Sequence, residues 1–185
     1  MKNLEQPVSS ESTALIVVDE DDNILEYKNH AECHDGDGIL HRAFSIFIFN
    51  AGNQLLLQKR SKHKRLWPLY WSNSCCSHPR KGETSQTAAG RRLQEELGIS
   101  TPLKFAFKIR YQAAYEDKGS EFEMCSVYVG RSNEDVTANV KEIAEWKFVD
   151  VPAFEEDMAE YPARFTPWIK IEWEYLRSKY LMLLE

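Results

Sequence analysis

One segment constrains the fold of this chain more than any other: Asn73 to Ile99, NSCCSHPRKGETSQTAAGRRLQEELGI. It places a thiol and an imidazole two residues apart, at Cys76 and His78. In an extended strand side chains alternate between faces, so these two leave the same one. A short polar loop carrying Glu83 follows, and then a helical stretch from about Gln86 to Leu97 that Gly98 closes. Glycine takes the left-handed conformation that ends helices at little cost. Within the helix Arg92 and Glu96 are four residues apart and share a face. The segment therefore predicts an αβ unit that delivers a thiol, an imidazole and several carboxylates to one end. Such a set suits a polyvalent metal and acid–base chemistry. For the Glu and Arg run taken alone, a solvated helix face is the plain alternative.

Around this unit the chain alternates strands and helices. Thr13–Val18 is a β-branched apolar run, and Asn29–Gly38 is polar and reads as loop. Arg42–Phe49 and Gln54–Arg60 flank Asn50-Ala51-Gly52-Asn53, the pattern of a hairpin. Ser61–Trp71 reads as a long loop. Leu103–Tyr115 and Glu121–Gly130 are strand-like about the turn Glu116–Gly119, Ile143–Val149 is another strand, and Pro152–Glu160 a short helix. In the last helix Thr166 caps and Pro167 takes the first position. Ile169, Trp173, Leu176, Tyr180 and Leu183 then form one apolar stripe, with Trp168 off it and free to face a cavity. With 185 residues and 43% apolar content the chain can build one core. The expected fold is α/β, a mixed β-sheet sandwiched between helices in a single compact domain over residues 13–185, with 1–12 a flexible tail.

Composition excludes several classes of function. No run of about 18 apolar residues is present, so no membrane span is expected. The N-terminus lacks both the apolar core of a secretory signal and the Arg-rich pattern of a transit peptide. A net charge of −6 argues against nucleic acid as a partner. Lys59, Arg60, Lys62, Lys64 and Arg65 nonetheless cluster, either as an anion site or as a solvated basic loop. The four cysteines, Cys33, Cys75, Cys76 and Cys125, form no C-x-x-C pair and no disulfide framework. Reduced thiols without an export signal point to the cytoplasm.

Glu121 and Glu123 lie one residue apart on a strand, so both carboxylates leave one face; Cys125 continues it, and Phe122 and Met124 point into a core. Two adjacent carboxylates repel, and a cation is the economical way to offset the charge. His34, His41 and His78 are the natural partners. Three imidazoles and two carboxylates suit Zn2+, Mn2+ or Fe2+ better than a hard, oxygen-only ion. His30 and His63 are expected at the surface.

The helix segment resembles the Nudix box, G-x5-E-x7-R-E-U-x-E-E-x-G-U with U aliphatic. Glu83, Arg91, Leu93, Glu95, Glu96, Gly98 and Ile99 fit it, whereas Ser77 stands in place of its first Gly and Arg92 in place of the Glu after the Arg. With NS-x-C-x-HP ahead of it, the region is more similar to the type 1 isopentenyl-diphosphate isomerases of the Nudix superfamily. That resemblance runs from about Ala14 to Leu181. It includes His34 and His41, the stretch LLLQKRSKHKRLWPLYWSNSCCSHP, Tyr111, the carboxylates of GSEFEMC, and FTPW with Trp168. It implies a transition metal, Mn2+ or Zn2+, held by His34, His41, His78, Glu121 and Glu123. It further implies Mg2+ held by Glu96 and the backbone oxygen of Cys76 beside the substrate diphosphate, which Arg60, Lys64 and Arg92 meet. A further family lysine is replaced by His30.

Isomerising an unactivated alkene needs a proton placed on its terminal carbon, giving a tertiary carbocation, and a second proton removed from C2. Two acid–base groups and a dry pocket are required. Glu123, near Tyr111, is expected to deliver the proton and Cys76, as thiolate, to take the other, with Trp168 offering its face to the cation. Trp67, Tyr70 and Trp71 wall the pocket or pack in the core. The partner is a small-molecule diphosphate, and the chain is expected to be a monomer or weak homodimer. Two alternatives differ in class. A Nudix hydrolase of a nucleoside diphosphate derivative depends on Glu95 and Glu96 and not on Cys76; a non-catalytic metal-binding module binds metal and turns nothing over.

Overall fold

The computed structural model of the chain describes residues 13–179. In chain order its elements are β1 (Ala14–Val18), β2 (Ile24–Asn29), α1 (His30–His34), β3 (His41–Phe49), β4 (Leu55–Arg60), β5 (Trp71–Ser72), β6 (Cys75–Ser77), α2 (Ser85–Leu97), β7 (Leu103–Tyr115), β8 (Gly119–Arg131), β9 (Ile143–Val149), α3 (Val151–Glu160), a 3-10 turn (Pro162–Arg164) and α4 (Pro167–Lys179). The expected tail over 1–12, and Tyr180 and Leu183 of the C-terminal stripe, lie outside the described residues. Among the described residues no helix is long and apolar enough to cross a membrane.

Strand β3 is the centre of the fold because it is apolar on both faces. Ala43, Phe47 and Phe49 pack with Phe154, Phe165, Trp168, Trp173 and Leu176, beneath α3 and α4. Phe44, Ile46 and Ile48 pack with Ala88, Ala89, Leu93 and Leu97 of α2 on the other side. Each large side chain so removed from water contributes on the order of 1.5–3 kcal/mol. The result is the expected mixed sheet between helices, folded as one compact domain.

Along one edge β3 runs parallel to β8, from His41↔Glu123 to Phe49↔Arg131. Its other edge is shared in turn by β1 (Val17↔His41), β6 (Phe44↔Ser77 to Ile46↔Cys75) and β4 (Phe49↔Leu55). The hairpin expected of β3 and β4 is thus a hairpin only at its turn, where Asn53 has φ 59° and Asn50 N–H donates to the Gln54 carbonyl. Beyond Phe49↔Leu55 the strands part, because β6 takes the edge of β3 and β9 takes that of β4 through Leu55↔Val149 to Arg60↔Ile143. This opening lets β6 bring Cys76 and His78 to the middle of the sheet.

The stretch read as loop from Asn29 contains a helix, α1. Asn29 accepts from Glu32 N–H at 2.9 Å while the Glu32 carboxylate accepts from Asn29 N–H at 3.1 Å, a reciprocal cap. Gly119 fixes where it ends. With φ 137°, a Cβ there would lie 2.1 Å from the His34 carbonyl oxygen, so only glycine allows β8 to start against α1. The box helix α2 is capped by Thr84, which accepts from Thr87 N–H, and closes at Gly98 with φ 73°. Ser77, in place of the box Gly, is a strand residue paired with Phe44 and has no positive φ, so no tight turn exists there for glycine to serve.

Candidate active site

Four elements converge on one cluster. The end of α1 supplies His34, the first residue of β3 supplies His41, the turn out of β6 supplies His78, and one face of β8 supplies Glu121 and Glu123. One ligand atom from each of these five lies within 4.8 Å of all the others. His78 Nε2 is 2.9 Å and His41 Nε2 3.9 Å from Glu123 Oε1, and His34 Nε2 is 2.8 Å from Glu121 Oε2. Two of the imidazoles are oriented from behind. His34 Nδ1 lies 2.7 Å from the His30 carbonyl and His41 Nδ1 2.7 Å from the Ile39 carbonyl. A carbonyl only accepts, so Nδ1 carries the hydrogen and, in the neutral ring, Nε2 presents its lone pair inward. His34 Nε2, His41 Nε2 and Glu121 Oε2 are buried there without an aligned hydrogen bond. Orphaned lone pairs aimed at one point fit a divalent ion, and the nitrogen–oxygen set fits the borderline metals.

Among themselves these buried groups sort into charged and neutral members, with His34 protonated against Glu121. Burial, with the neighbouring imidazoles, holds His41 well below its ordinary range and His78 down to about 3, so both are neutral. Burial opposes ionisation of Glu121, but His34 outweighs it and keeps that carboxyl well below the usual range. Burial also opposes charge on His34, and there Glu121 prevails, lifting it to about 9. Glu123 goes the other way: burial and the Glu121 charge raise it well above the carboxylate range. Its Oε2 accepts from the Tyr111 hydroxyl at 2.5 Å.

His30 is not a surface residue. One turn before His34 in α1, its ring stacks on His34 at 4.0 Å and meets His78 edge-on at 5.4 Å, and its Nδ1 is buried without a partner. The helix unseen in the sequence is the reason, since residues four apart share a face. His63 is exposed, at the rim of the pocket.

A cavity of about 180 Å3 opens beside the cluster, and Cys76, His78, Tyr111, Glu121, Glu123 and Trp168 all line it. Cys76 and Glu123 flank β3 from opposite edges, across from Ser45 and His41 respectively. Burial pushes the Cys76 thiol up to about 12, against the pull of Arg60, whose Nη1 is 4.0 Å from the sulfur. Cys75 points away, fully buried against α2. Trp168 is off the apolar stripe and faces the cavity. Its indole N–H donates to Ser72 Oγ (2.9 Å) and Asn73 Oδ1 (3.2 Å), Trp67 packs edge-on at 5.3 Å, and the Arg60 guanidinium sits 5.1 Å from its ring centre. The ring therefore already faces one cation. Trp67, 4% exposed at φ 46°, packs in the core against Trp168 and does not line the cavity, and its carbonyl accepts from Arg60 Nε at 3.1 Å.

The basic residues divide into two layers. Arg60 and Lys64 line the cavity. Arg92 and Glu96 do not reach its wall; they are buried behind it, 2.5 Å apart, with the Glu142 carboxylate 3.8 Å from Arg92. The solvated-face alternative therefore fails for Arg92 and Glu96. It describes Glu83, Arg91 and Glu95 better: Arg91 bonds both oxygens of Glu83 at 2.8 Å and Glu95 at 2.9 Å, fastening the loop to α2.

Four further residues have a place here to which no motif in the sequence assigns a role. Glu142 lines the cavity and ion-pairs with Lys64; it stands just before the strand Ile143–Val149, where no local pattern sets it apart. Ser72 and Asn73 hold the Trp168 indole; Asn73 opens the thiol segment and Ser72 precedes it, which is the available signal. Glu172, one turn after Trp168, is fully buried, accepts from the Cys125 thiol at 3.3 Å, and is pushed by burial to about 8.

Comparison with known proteins agrees with this geometry. Residues 39–169 match the model of the NUDIX domain. The chain is 41% identical over 161 residues, 86% of its length and 92% of the relative's, to isopentenyl-diphosphate Delta-isomerase 1 of Photorhabdus laumondii. It is 40% identical over 154 residues, 83% and 87% of the two chains, to isopentenyl-diphosphate Delta-isomerase of Burkholderia multivorans. Among solved structures, a Deinococcus radiodurans protein superposes with a TM-score of 0.66 at 19% identity, covering 80% of this chain and 89% of that one. A MutT protein of Methanosarcina mazei superposes with a TM-score of 0.54 at 19% identity over 65% and 81%. These two likenesses concern the fold.

Proposed function

Since the chain belongs to the NUDIX domain family and, within it, to the isopentenyl-diphosphate Delta-isomerases, we propose that its cavity interconverts isopentenyl and dimethylallyl diphosphate by protonation and deprotonation. One observation carries the reading: a carboxyl bonded to a tyrosine, a thiol and an indole face line the same small cavity, the first two from opposite edges of β3. A hydrolase has no use for that thiol.

Glu123 places a proton on the terminal alkene carbon, the electrons of the double bond forming the new C–H bond and leaving a tertiary cation at C3. Tyr111 holds the carboxyl in position and donates to the oxygen that becomes negative. The cation rests against Trp168, whose N–H bonds to Ser72 and Asn73 prevent the ring from turning. Cys76 removes a proton from C2, and that C–H pair closes the new double bond. This step needs Cys76 as thiolate; Arg60 pulls the thiol that way against the burial that raises it to about 12, and the reverse reaction exchanges the roles of Cys76 and Glu123. Burial of Trp67, Tyr111 and Trp168 excludes the water that would trap the cation.

His34, His41, His78, Glu121 and Glu123 would hold Mn2+ or Zn2+, which supplies positive charge that lets the two carboxylates lie together. Mg2+ would accompany the diphosphate, whose charge Arg60 and Lys64 meet from the wall and Arg92 from behind; Glu96, paired with Arg92 behind that wall, would have to part from it to join the Cys76 backbone oxygen in holding the ion. We place the protein in the cytoplasm, on its four free thiols, as a monomer or weak homodimer. Incubation with isopentenyl diphosphate and Mg2+ tests the reading. Dimethylallyl diphosphate is the expected product, and phosphate release without it would favour the hydrolase.

A further inference from the structure

The anion end of the cavity contains a carboxylate that this chemistry does not use. Glu142 lines the cavity beside Lys141 yet is only 2% exposed. A buried carboxylate in a wall built for phosphate repels the ligand, so its presence calls for a reason. Its backbone is pinned at both groups: Glu142 N–H donates to the Asn139 carbonyl at 2.9 Å, and its carbonyl accepts from Ser61 N–H at 2.9 Å. Ser61 opens the loop that carries Lys64, and Lys64 Nζ ion-pairs with Glu142 Oε2. That oxygen also lies 3.8 Å from Arg92, whose other carboxylate partners are Glu96 at 2.5 Å and Glu95 at 3.3 Å. Glu142 thus fastens the Lys64 loop twice, once through the backbone and once through the lysine itself.

We propose that Glu142 is a positioning residue for diphosphate binding that acts through Lys64. An ammonium has three hydrogens. Glu142 accepts one, which orders a long and otherwise mobile side chain before the ligand arrives and leaves the other two for phosphate oxygens. Its charge also separates Lys64 from Arg92, which would otherwise repel each other in an empty site. Pre-ordering one long side chain is worth about two- to tenfold in affinity. The proposal rests on the assignment of Lys64 to the diphosphate.

The test uses the full chain with inorganic diphosphate and Mg2+, measured by calorimetry, beside the steady-state kinetics of isopentenyl diphosphate. Glu142→Gln keeps the shape and removes the charge. It is expected to raise Kd and KM several-fold, up to about tenfold, while kcat stays within about twofold. In a Lys64→Met background the same substitution should change Kd less than about twofold, because nothing remains to be positioned. Unchanged or tighter binding by Glu142→Gln would overturn the proposal, and so would an equal loss in the Lys64→Met background. If Glu142→Gln does not fold, Glu142→Asp carries the test. Its shorter reach should weaken diphosphate binding several-fold, and a wild-type Kd would overturn the inference. A wild type that binds diphosphate with this pattern but leaves isopentenyl diphosphate unconverted would defeat the isomerase reading and leave the role of Glu142 standing.

Discussion

Replacing Tyr111 by Phe removes one oxygen and tests the acid directly. The hydroxyl donates to Glu123 Oε2 at 2.5 Å, and both residues are 7% exposed, so no bulk water replaces the lost bond. A hydrogen bond to a group that becomes charged contributes about 1.5–3 kcal/mol. At 1.4 kcal/mol per decade of rate, kcat should fall about 10- to 100-fold. The pH dependence has a definite sign. Burial and Glu121 raise the pKa of Glu123, and the Tyr111 bond opposes them. Without that bond Glu123 holds its proton to higher pH. An acid works while protonated, so the alkaline fall in kcat/KM should move to higher pH. The assay is product formation by NMR from pH 6 to 10, with metal content and thermal stability as controls. Wild-type turnover, or an alkaline limit shifted downward, would refute the reasoning.

Cys76→Ala and Cys76→Ser should each lose about 10²–10⁴-fold in turnover, whereas Cys75→Ala, altered only in the core against α2, should stay within a few-fold; equal losses would contradict the placement of the two thiols. His34→Ala, His41→Ala and His78→Ala should each lower bound divalent metal in elemental analysis, and His63→Ala at the rim should not; full metal content in the first three would rule out the five-residue site. Glu172 predicts a stability profile. Its folded carboxyl is pushed from the ordinary 4.5 to about 8, so the native state keeps a proton that the unfolded state releases, and stability should fall as pH rises between these values, by at most about 1.4 kcal/mol per pH unit. Urea unfolding of Glu172→Gln should lack this slope; an identical slope in both proteins would mean that Glu172 is charged in the fold.

The site was legible in the sequence where its residues sit at short, regular spacing. Cys76 with His78 and Glu121 with Glu123 are period-two pairs; β8 carries the carboxylates to one face, and β6 with the residue that leaves it brings Cys76 and His78 to the same cavity. Trp168 was identified by its offset from an apolar stripe that three buried residues, Ile169, Trp173 and Leu176, bear out. What the sequence hid depends on length and on partners. A five-residue helix is too short to show a period, so α1 passed for loop and His30 for a surface residue. β2 escaped because it is an exposed strand of polar and apolar residues with no buried face. The parting of β3 from β4 is decided by β6 and β9, which claim their edges from elsewhere in the chain. Glu142 owes its place to Lys64 and Ser61, about 80 residues away, and no local pattern records such a contact.

The central claim is that Glu123 protonates a carbon–carbon double bond within this cavity, and isotope uptake from solvent tests it most directly. Isopentenyl diphosphate turned over in deuterated water by the wild-type protein should give dimethylallyl diphosphate with deuterium in a methyl group, where the new C–H bond forms. Glu123→Gln, with its fold intact by circular dichroism, should incorporate none. Methyl deuteration that persists undiminished in Glu123→Gln, or wild-type turnover that yields phosphate and unlabelled substrate, would contradict the account.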